Sequence, residues 1–221
     1  MSRKQPTAGD QQERLVTITG DSVALEGALA IPPTSPGVVL FAHGSGSSRL
    51  SPRNNYVARA LRHAGLATLL MDLLTEEEDR VYATRFDIEL LTRRLVAATR
   101  WLGKQPQANR LAVGYFGAST GAAAALNAAA ELGSAIGAVV SRGGRPDLAE
   151  SLDQVRAPTL LIVGGLDTEV IELNRQAYAQ LRCDKQLAIV PGATHLFEEP
   201  GTLEQVADLA ARWFTRRLAK A

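Results

Sequence analysis

The chain has 221 residues, of which 46% are hydrophobic, and its formal net charge at pH 7 is +1. A chain of this length and hydrophobicity can bury a full core, and it most simply forms one domain. The near-neutral charge, with basic residues scattered along the chain, gives no reason to expect a nucleic acid or an acidic membrane surface as partner.

Residues 1–13 contain no apolar stretch of the kind found in a signal peptide. We interpret them as a flexible N-terminal tail and residues 14–221 as a single domain. No later apolar run reaches the ~20 residues of a membrane span. Cys183 is the single cysteine, so it cannot form an intramolecular disulfide. These features predict a cytoplasmic protein with no membrane partner.

Eight strands are expected along the chain. Residues 14–19 and 22–31 predict an antiparallel pair, because the turn Gly20-Asp21 joins them directly. Six more apolar runs predict strands at 38–42, 66–72, 111–116, 136–141, 159–163 and 186–190. Helical stretches separate these runs, and such alternation predicts a mostly parallel α/β sheet with helices on both faces. A final helix at 203–218 carries Trp213 and Phe214, which we expect in the core.

The strand at 111–116 leads into Gly117-Ala118-Ser119-Thr120-Gly121 and then into an alanine-rich helix. A strand, a sharp turn with serine at its apex and a helix form the layout of a nucleophile elbow. Glycine at positions 117 and 121 lets the strand and the helix approach each other closely. Ser119 is therefore a candidate nucleophile.

Two later strands supply the partners that a serine nucleophile needs. Asp167 follows the strand at 159–163, and His195 follows the strand at 186–190. An imidazole accepts the serine proton, and a carboxylate orients the imidazole and stabilises its charged form. Seen alone, Asp167 could cap a helix and His195 could be a solvated loop residue. Their order after Ser119, each at the end of a separate strand, predicts a catalytic triad at the ligand-binding edge of the sheet.

Acyl transfer builds negative charge on a carbonyl oxygen, which backbone N–H groups can stabilise. We assign this oxyanion hole to the N–H of Thr120, which follows the nucleophile, and to that of Ser45, in the glycine-rich loop after the strand at 38–42. His43, at the end of that strand, is interpreted as a structural hydrogen-bonding residue, and His63 as a helix-surface residue.

These motifs together resemble the α/β-hydrolase superfamily, and within it the dienelactone hydrolase-like group. The resemblance runs from the two opening strands through His43-Gly44, the Ser119 elbow and Asp167 to Gly192-Ala193-Thr194-His195. It implies a serine-type hydrolase that acts on an ester or related acyl bond of a small molecule. Dienelactone hydrolases proper carry cysteine as the nucleophile, so Ser119 departs from their pattern and leaves the dienelactone substrate open.

The segment between Ser141 and Pro158 has room only for a brief helix near 146–152, which predicts an active site without a large lid. Arg142 could bind a substrate carboxylate through its planar guanidinium or form a salt bridge that stabilises the loop. The acidic run at 76–79 follows a strand, but such a run before a helix is more often explained by helix capping and solvation.

Other function classes fit the sequence less well. Gly44-Ser45-Gly46 and Asp72 resemble a dinucleotide site, yet Arg49 occupies the position of the third glycine. No phosphate-binding loop or metal-ligand spacing is present, so no cofactor and no metal are expected. An acyltransferase or a peptidase would use the same triad, and a catalytically silent binding module is a further alternative. Nothing in the sequence indicates the oligomeric state.

Overall fold

The computed structural model describes residues 13–219, and of the expected N-terminal tail only Glu13 falls within that range. The strands in this range are β1 (Arg14–Gly20), β2 (Val23–Ala30), β3 (Gly37–Ala42), β4 (Ala67–Met71), β5 (Ala112–Ala118), β6 (Ile136–Arg142), β7 (Thr159–Gly164) and β8 (Lys185–Val190). The α-helices are α1 (Pro52–His63), α2 (Glu76–Arg80), α3 (Ile88–Leu102), α4 (Thr120–Leu132), α5 (Thr168–Gln180) and α6 (Thr202–Leu218).

The strands form one sheet in the order β1-β2-β4-β3-β5-β6-β7-β8. The pairs β1–β2 and β2–β4 are antiparallel, and the other five pairs are parallel. The mostly parallel eight-stranded sheet predicted from the sequence is thus confirmed. The hairpin turn lies one residue later than expected, at Asp21 and Ser22, whose φ values of 49° and 63° suit a two-residue turn between twisted strands.

Helices cover both faces of the sheet, so its central strands are buried on both sides. Every residue of β3, β4 and β7 is buried, which explains why these strands read as continuous apolar runs. One face packs against α3 and α4, and the other against α1 and α6. Trp213 and Phe214 of α6 lie in the second of these cores, as predicted.

The parallel strands all end at one edge of the sheet, and the loops after them form the surface where ligands bind in such folds. The loop after β6, residues 143–158, carries two short 3₁₀ turns, Pro146–Leu148 and Leu152–Gln154. The expected brief helix at 146–152 was wrong, because Ala149 is extended and the N–H of Glu150 donates to Asn127 Oδ1 at 3.0 Å. This loop of the described chain carries no lid domain.

None of the helices described between residues 13 and 219 has the length and apolar character needed to cross a membrane.

Candidate active site

Ser119 stands alone between the end of β5 and the start of α4, in a strained backbone conformation. Its φ is 50° and its ψ is −122°, a combination that costs about 1–3 kcal/mol for a residue with a side chain. The turn is tight because strand and helix touch: a Cβ on Gly117 would lie 2.5 Å from Ala122 Cα, and one on Gly121 would collide with the carbonyl oxygen of Ala42. The close packing keeps the serine at the apex, where it is half-buried.

Asp167 and His195 meet at the same edge of the sheet. Nδ1 of His195 lies 2.7 Å from Oδ2 of Asp167. Asp167 stands at the N-cap position of α5, yet its side chain makes no capping hydrogen bond there. Its carboxylate therefore contacts the imidazole instead. A carboxylate oxygen accepts hydrogen bonds, so this contact requires the proton on Nδ1, and Nε2 of His195 is then the proton-accepting atom of the neutral ring.

The segment after β6 connects the serine to the histidine. The N–H of Ser119 donates to the carbonyl oxygen of Arg142 at 3.3 Å, and the N–H of Arg145 donates to the carbonyl oxygen of Ser119 at 3.1 Å. A Cβ on Gly143 would lie 3.6 Å from Cε1 of His195. Between residues 13 and 219, no hydrogen bond joins the Ser119 hydroxyl to His195; such bonds are often long before substrate binds.

Ser45 and Thr120, the residues assigned to the oxyanion hole, are in direct contact. The N–H of Ser45 donates to Oγ1 of Thr120 at 3.0 Å. Thr120 is the first residue of α4, and the first N–H groups of a helix have no partner within it. A Cβ on Gly44 would lie 3.0 Å from Cβ of Ser119, so the loop after β3 lies against the nucleophile.

The loop that carries His195 is held from several sides by residues that the sequence did not single out. Glu199 accepts from the N–H of Thr194 at 3.1 Å and from its hydroxyl at 2.6 Å, and these bonds lower the pKa of the Glu199 carboxyl. Glu198 pairs with Arg53 at 2.9 Å. The acidic pair Glu198-Glu199, which begins three residues after His195, was the only sequence signal, and an acidic pair by itself indicates no partner.

Arg142 is the last residue of β6 and lies buried beneath this loop, 5% exposed. Its Nη2 donates to Oδ1 of Asn54 at 3.2 Å, and its guanidinium carbon lies 5.9 Å from the ring centroid of Phe197. Burial, and secondarily the positive charge of Arg53, lower the pKa of Arg142 to about 10. It forms no salt bridge with any residue between 13 and 219, and its Nε lacks a hydrogen-bond partner.

His43 and the acidic run have structural partners. Nε2 of His43 accepts the N–H of Leu73 at 3.0 Å, and Nδ1 lies 2.9 Å from the carbonyl oxygen of Gly44, so both ring nitrogens are used. The acidic run begins α2, where Thr75 and Glu78 form a capping box. Glu78 also pairs with the buried Arg94 at 2.6 Å. His63 is exposed on α1, as expected.

A cavity of about 330 Å³ is lined by residues of β2, of the loop after β3 and of the segment 72–79, and none of Ser119, Asp167 and His195 lines it. Among its lining residues are His43, Ser48, Arg49, Asp72 and Glu76. Asp72, the residue of the dinucleotide comparison, accepts from Nη1 of Arg49 at 2.7 Å, so this carboxylate is paired within the protein. In the described part of the chain, no group of three or more His, Cys, Asp or Glu side chains is arranged to hold a metal ion.

Comparison with known families gives a match to residues 25–218, which is most of the chain. The matching model is that of the dienelactone hydrolase family. The chain belongs to this family. Its resemblance to the dienelactone hydrolase-like group is thereby confirmed, together with the α/β-hydrolase fold.

Solved structures agree with this assignment. A dienelactone hydrolase from Anabaena variabilis is 58% identical, with a TM-score of 0.91, over 93% of this chain and 98% of that one. A serine hydrolase without a lid from Xanthomonas campestris is 23% identical, with a TM-score of 0.76, over 98% of this chain and 99% of that one. Est1E from Butyrivibrio proteoclasticus is 17% identical, with a TM-score of 0.79, over 93% and 99% of the two chains. The last two show the fold alone.

Curated relatives from two strains of Mycobacterium tuberculosis are 60% identical over 204 residues. Their name is "Putative phosphoribosyl transferase". The match covers 92% of this chain but 46% of the relatives, so the chain spans about half the length of these proteins.

Proposed function

We propose that this member of the dienelactone hydrolase family is a serine hydrolase that cleaves a carboxylic ester, a lactone or a thioester. One observation carries the proposal: the Asp167 carboxylate lies 2.7 Å from His195 Nδ1, at the sheet edge where the strained elbow presents Ser119. A carboxylate, an imidazole and a serine in these roles activate the hydroxyl as a nucleophile.

In the proposed reaction, the Ser119 hydroxyl attacks the acyl carbon while Nε2 of His195 takes its proton. Asp167 holds the imidazole in the required tautomer and stabilises its positive charge. The oxyanion forms beside the contact between Ser45 and Thr120. His195 then gives the proton to the leaving group, and the acyl chain remains on Ser119. Water, deprotonated by His195, hydrolyses this ester and restores the enzyme.

Arg142 remains a candidate for binding a substrate carboxylate. Its guanidinium has no acidic partner between residues 13 and 219, and its Nε lacks an acceptor. A buried, uncompensated cation is costly, and an anionic substrate group that reached it would lower that cost. The preferred substrate would then be a small acyl compound that carries a carboxylate.

Two alternatives use the same residues differently. An acyltransferase would form the same acyl-serine and pass the acyl group to an acceptor, and a peptidase would form it by cleaving an amide. If an added alcohol or amine traps the acyl group in preference to water, the result favours the transferase. A silent binding module would form no acyl-serine at all. We favour an enzyme over the binding module because Ser119, Asp167 and His195 each have a competent side chain, and we favour hydrolysis because residues 25–218 match a hydrolase family.

The mycobacterial name suggests phosphoribosyl transfer, but it belongs to proteins about twice as long as the matching region. We propose that this activity does not extend to the present chain, because residues 25–218 match a hydrolase family. Absence of pyrophosphate release from 5-phosphoribosyl 1-diphosphate would agree with this.

We further propose a cytoplasmic protein, since Cys183 is free and half-buried, with a small acyl substrate and neither nucleic acid nor membrane as partner.

The experiment that tests the proposal compares the wild type with Ser119→Ala. Turnover of p-nitrophenyl acetate and butyrate is measured, and labelling by a fluorophosphonate is followed by mass spectrometry. We expect the variant to lose roughly 10⁶-fold in kcat, which removes measurable turnover, and to remain unlabelled. Ser134→Ala is the matched control, because Ser134 is exposed at the opposite end of α4.

Labelling and turnover that disappear in Ser119→Ala and persist in Ser134→Ala support an acyl-serine mechanism. A folded wild type that is neither labelled nor active refutes it and favours the binding module. Labelling of the wild type at another residue would refute the assignment of Ser119.

A further inference from the structure

The hydroxyl of Thr120 occupies an unusual place beside the nucleophile. Thr120 is 4% exposed, and its Oγ1 accepts the N–H of Ser45 at 3.0 Å. That N–H is the donor which the sequence assigned to the oxyanion hole. In the structure it is directed at the threonine side chain, so it must break this hydrogen bond before it can reach a substrate oxygen.

The proton of the same hydroxyl is free. A threonine hydroxyl has one O–H donor and two acceptor lone pairs, and the bond from Ser45 uses one lone pair. Between residues 13 and 219, the Thr120 hydroxyl donates no hydrogen bond. Buried hydroxyl groups normally find an acceptor for their proton. An acceptor that arrives only with the substrate would satisfy this one.

The position of the hydroxyl suits the oxyanion. Thr120 directly follows Ser119, and its hydroxyl contacts the N–H of Ser45, whose neighbour Gly44 lies against Ser119. The start of α4 adds the positive end of the helix dipole at the same point. When the N–H of Ser45 donates to Oγ1, it polarises the hydroxyl and makes its proton a stronger donor.

We propose that the Thr120 hydroxyl donates directly to the oxyanion, together with the Thr120 N–H, and that the Ser45 N–H acts through the hydroxyl. Thr120 is then a catalytic residue through its side chain as well as its backbone. The hydroxyl proton stays on Oγ1 throughout, so no bond other than hydrogen bonds changes at this residue. This inference rests on the proposed acyl hydrolysis.

Two substitutions separate the two donors. Thr120→Val removes the hydroxyl and keeps the side-chain shape and the backbone N–H. Ser45→Pro removes the Ser45 N–H and keeps the Thr120 hydroxyl; Ser45→Ala, which keeps the N–H, controls for the loss of the serine hydroxyl. The N–H of Ser47 donates to the carbonyl oxygen of Gly44 at 3.2 Å, and Gly46 has a φ of 66°, so Ser45 is the second residue of a turn in which proline is favoured.

We expect Thr120→Val to lower kcat about 10²–10³-fold, the usual cost of one oxyanion donor, with little change in KM because the contact forms in the transition state. Ser45→Pro should lower kcat less than about tenfold, since it removes only the polarisation of the hydroxyl. Thr120→Ser restores the hydroxyl and should recover at least about tenfold of the rate that valine loses. The rate of fluorophosphonate labelling should follow the same order, because the phosphonyl oxygen occupies the same hole.

The reverse pattern overturns the inference. If the Ser45 N–H is the direct donor, Thr120→Val frees it and keeps or raises kcat, whereas Ser45→Pro loses about 10²–10³-fold. An equal loss in both variants also overturns it. Circular dichroism checks the fold, and if Thr120→Val does not fold, the size of the loss in Ser45→Pro still decides. A wild type that is inactive and unlabelled would instead refute the proposed function itself. An active wild type together with an unaffected Thr120→Val would refute only the role of the Thr120 hydroxyl and would leave the proposed function standing.

Discussion

His43 shows how a histidine close to a catalytic centre can have a purely structural role. It directly follows β3, is 6% exposed, and contacts the backbone of Leu73 and Gly44 through its two ring nitrogens. Nε2 accepts a hydrogen bond, so the ring is neutral, and a proton on this nitrogen would break the bond to Leu73. Burial lowers the pKa of His43, although the Gly44 carbonyl, Asp72 and Asp79 act in the opposite direction.

This lowered pKa makes the stability of the protein depend on pH. Below about pH 6.5 the imidazole of an unfolded chain takes up a proton while the buried ring stays neutral, so the unfolded state binds more protons. We expect the free energy of unfolding to fall as pH decreases through that value. Urea unfolding at about pH 7.5 and about pH 5 measures the loss, which should be smaller in His43→Gln than in the wild type. Equal losses in the two proteins would contradict the assignment.

The proposed triad illustrates what single residues reveal in a sequence. Asp167 and His195 could be paired from the sequence because each follows a strand, and parallel strands end at one edge. The contact between Ser45 and Thr120 could not be predicted in the same way. It depends on the side-chain torsion of a threonine 75 positions away along the chain, which no local pattern encodes. The burial of Arg142 depends likewise on contacts with residues distant in the chain, Asn54 of α1 and Phe197.

At the scale of elements, the elbow depends on how closely β5 and α4 approach the end of β3. Gly121 is buried in the first turn of α4. A Cβ on this residue would collide with the carbonyl oxygens of Ala42 and His43. These oxygens belong to the backbone of a central strand, which cannot move aside as a flexible side chain can.

We therefore expect Gly121→Ala to lower the free energy of unfolding by about 3 kcal/mol or more, the upper end of the cost of overpacking. Gly103→Ala is the matched control. Gly103 ends α3 with a φ of −62°, and a Cβ there would lie 3.6 Å from the nearest atom, the carbonyl oxygen of Arg100. It should change stability by no more than about 1 kcal/mol, towards greater stability. Urea unfolding compares the two, and equal midpoints would show that the elbow can relax.

Element types were predictable from the sequence where the pattern was long. The apolar runs of the central strands and the periodicity of α6 gave those elements to within one or two residues. The short segment at 146–152 was not predictable, because its hydrogen bonds go partly to Asn127 on α4 and do not form a continuous helical series. Local propensity cannot anticipate an acceptor contributed by another helix.

At the scale of the whole molecule, the sheet order places the antiparallel hairpin β1–β2 at one side of the parallel strands. β2 pairs with β4, so β4 lies between β2 and β3. The sequence predicted which segments are strands and that β1 and β2 pair, but the position of this hairpin at the edge depends on contacts between distant segments. The loops of the candidate active site follow β3, β5, β6, β7 and β8, all parallel, so the hairpin contributes no residue of the proposed triad.

At the beginnings of the parallel strands, opposite to the candidate active site, the C-terminal end of α6 packs against the sheet. Leu218 is fully buried there, beside the beginnings of β3 and β6. A Cβ on Gly137 would lie 2.8 Å from Cδ2 of Leu218, and the next nearest atom, the carbonyl oxygen of Val113, would be 3.5 Å away. Leu218 alone therefore prevents a side chain at Gly137. This complementarity joins the last helix to the second residue of a central strand, and no local sequence pattern indicates it.

A double-mutant cycle tests this long-range fit. Leu218→Ala should lower the free energy of unfolding by about 2–5 kcal/mol, because it leaves a cavity among glycines. Gly137→Ala should cost about 1–3 kcal/mol in the wild type, since the new methyl group overlaps Leu218. In the Leu218→Ala background the same methyl group has room, so the two losses should fall short of additivity by at least about 1 kcal/mol.

Urea unfolding of the four proteins measures the coupling. Strictly additive losses would show that Leu218 is not what excludes a side chain at Gly137. Under the proposed function, turnover of p-nitrophenyl acetate per folded molecule supplies an independent check, because Ser119 and His195 lie at the other end of the parallel strands. We expect kcat to remain constant across the cycle under conditions in which all four proteins are folded. The packing that closes one edge would then be energetically separate from the chemistry proposed for the other.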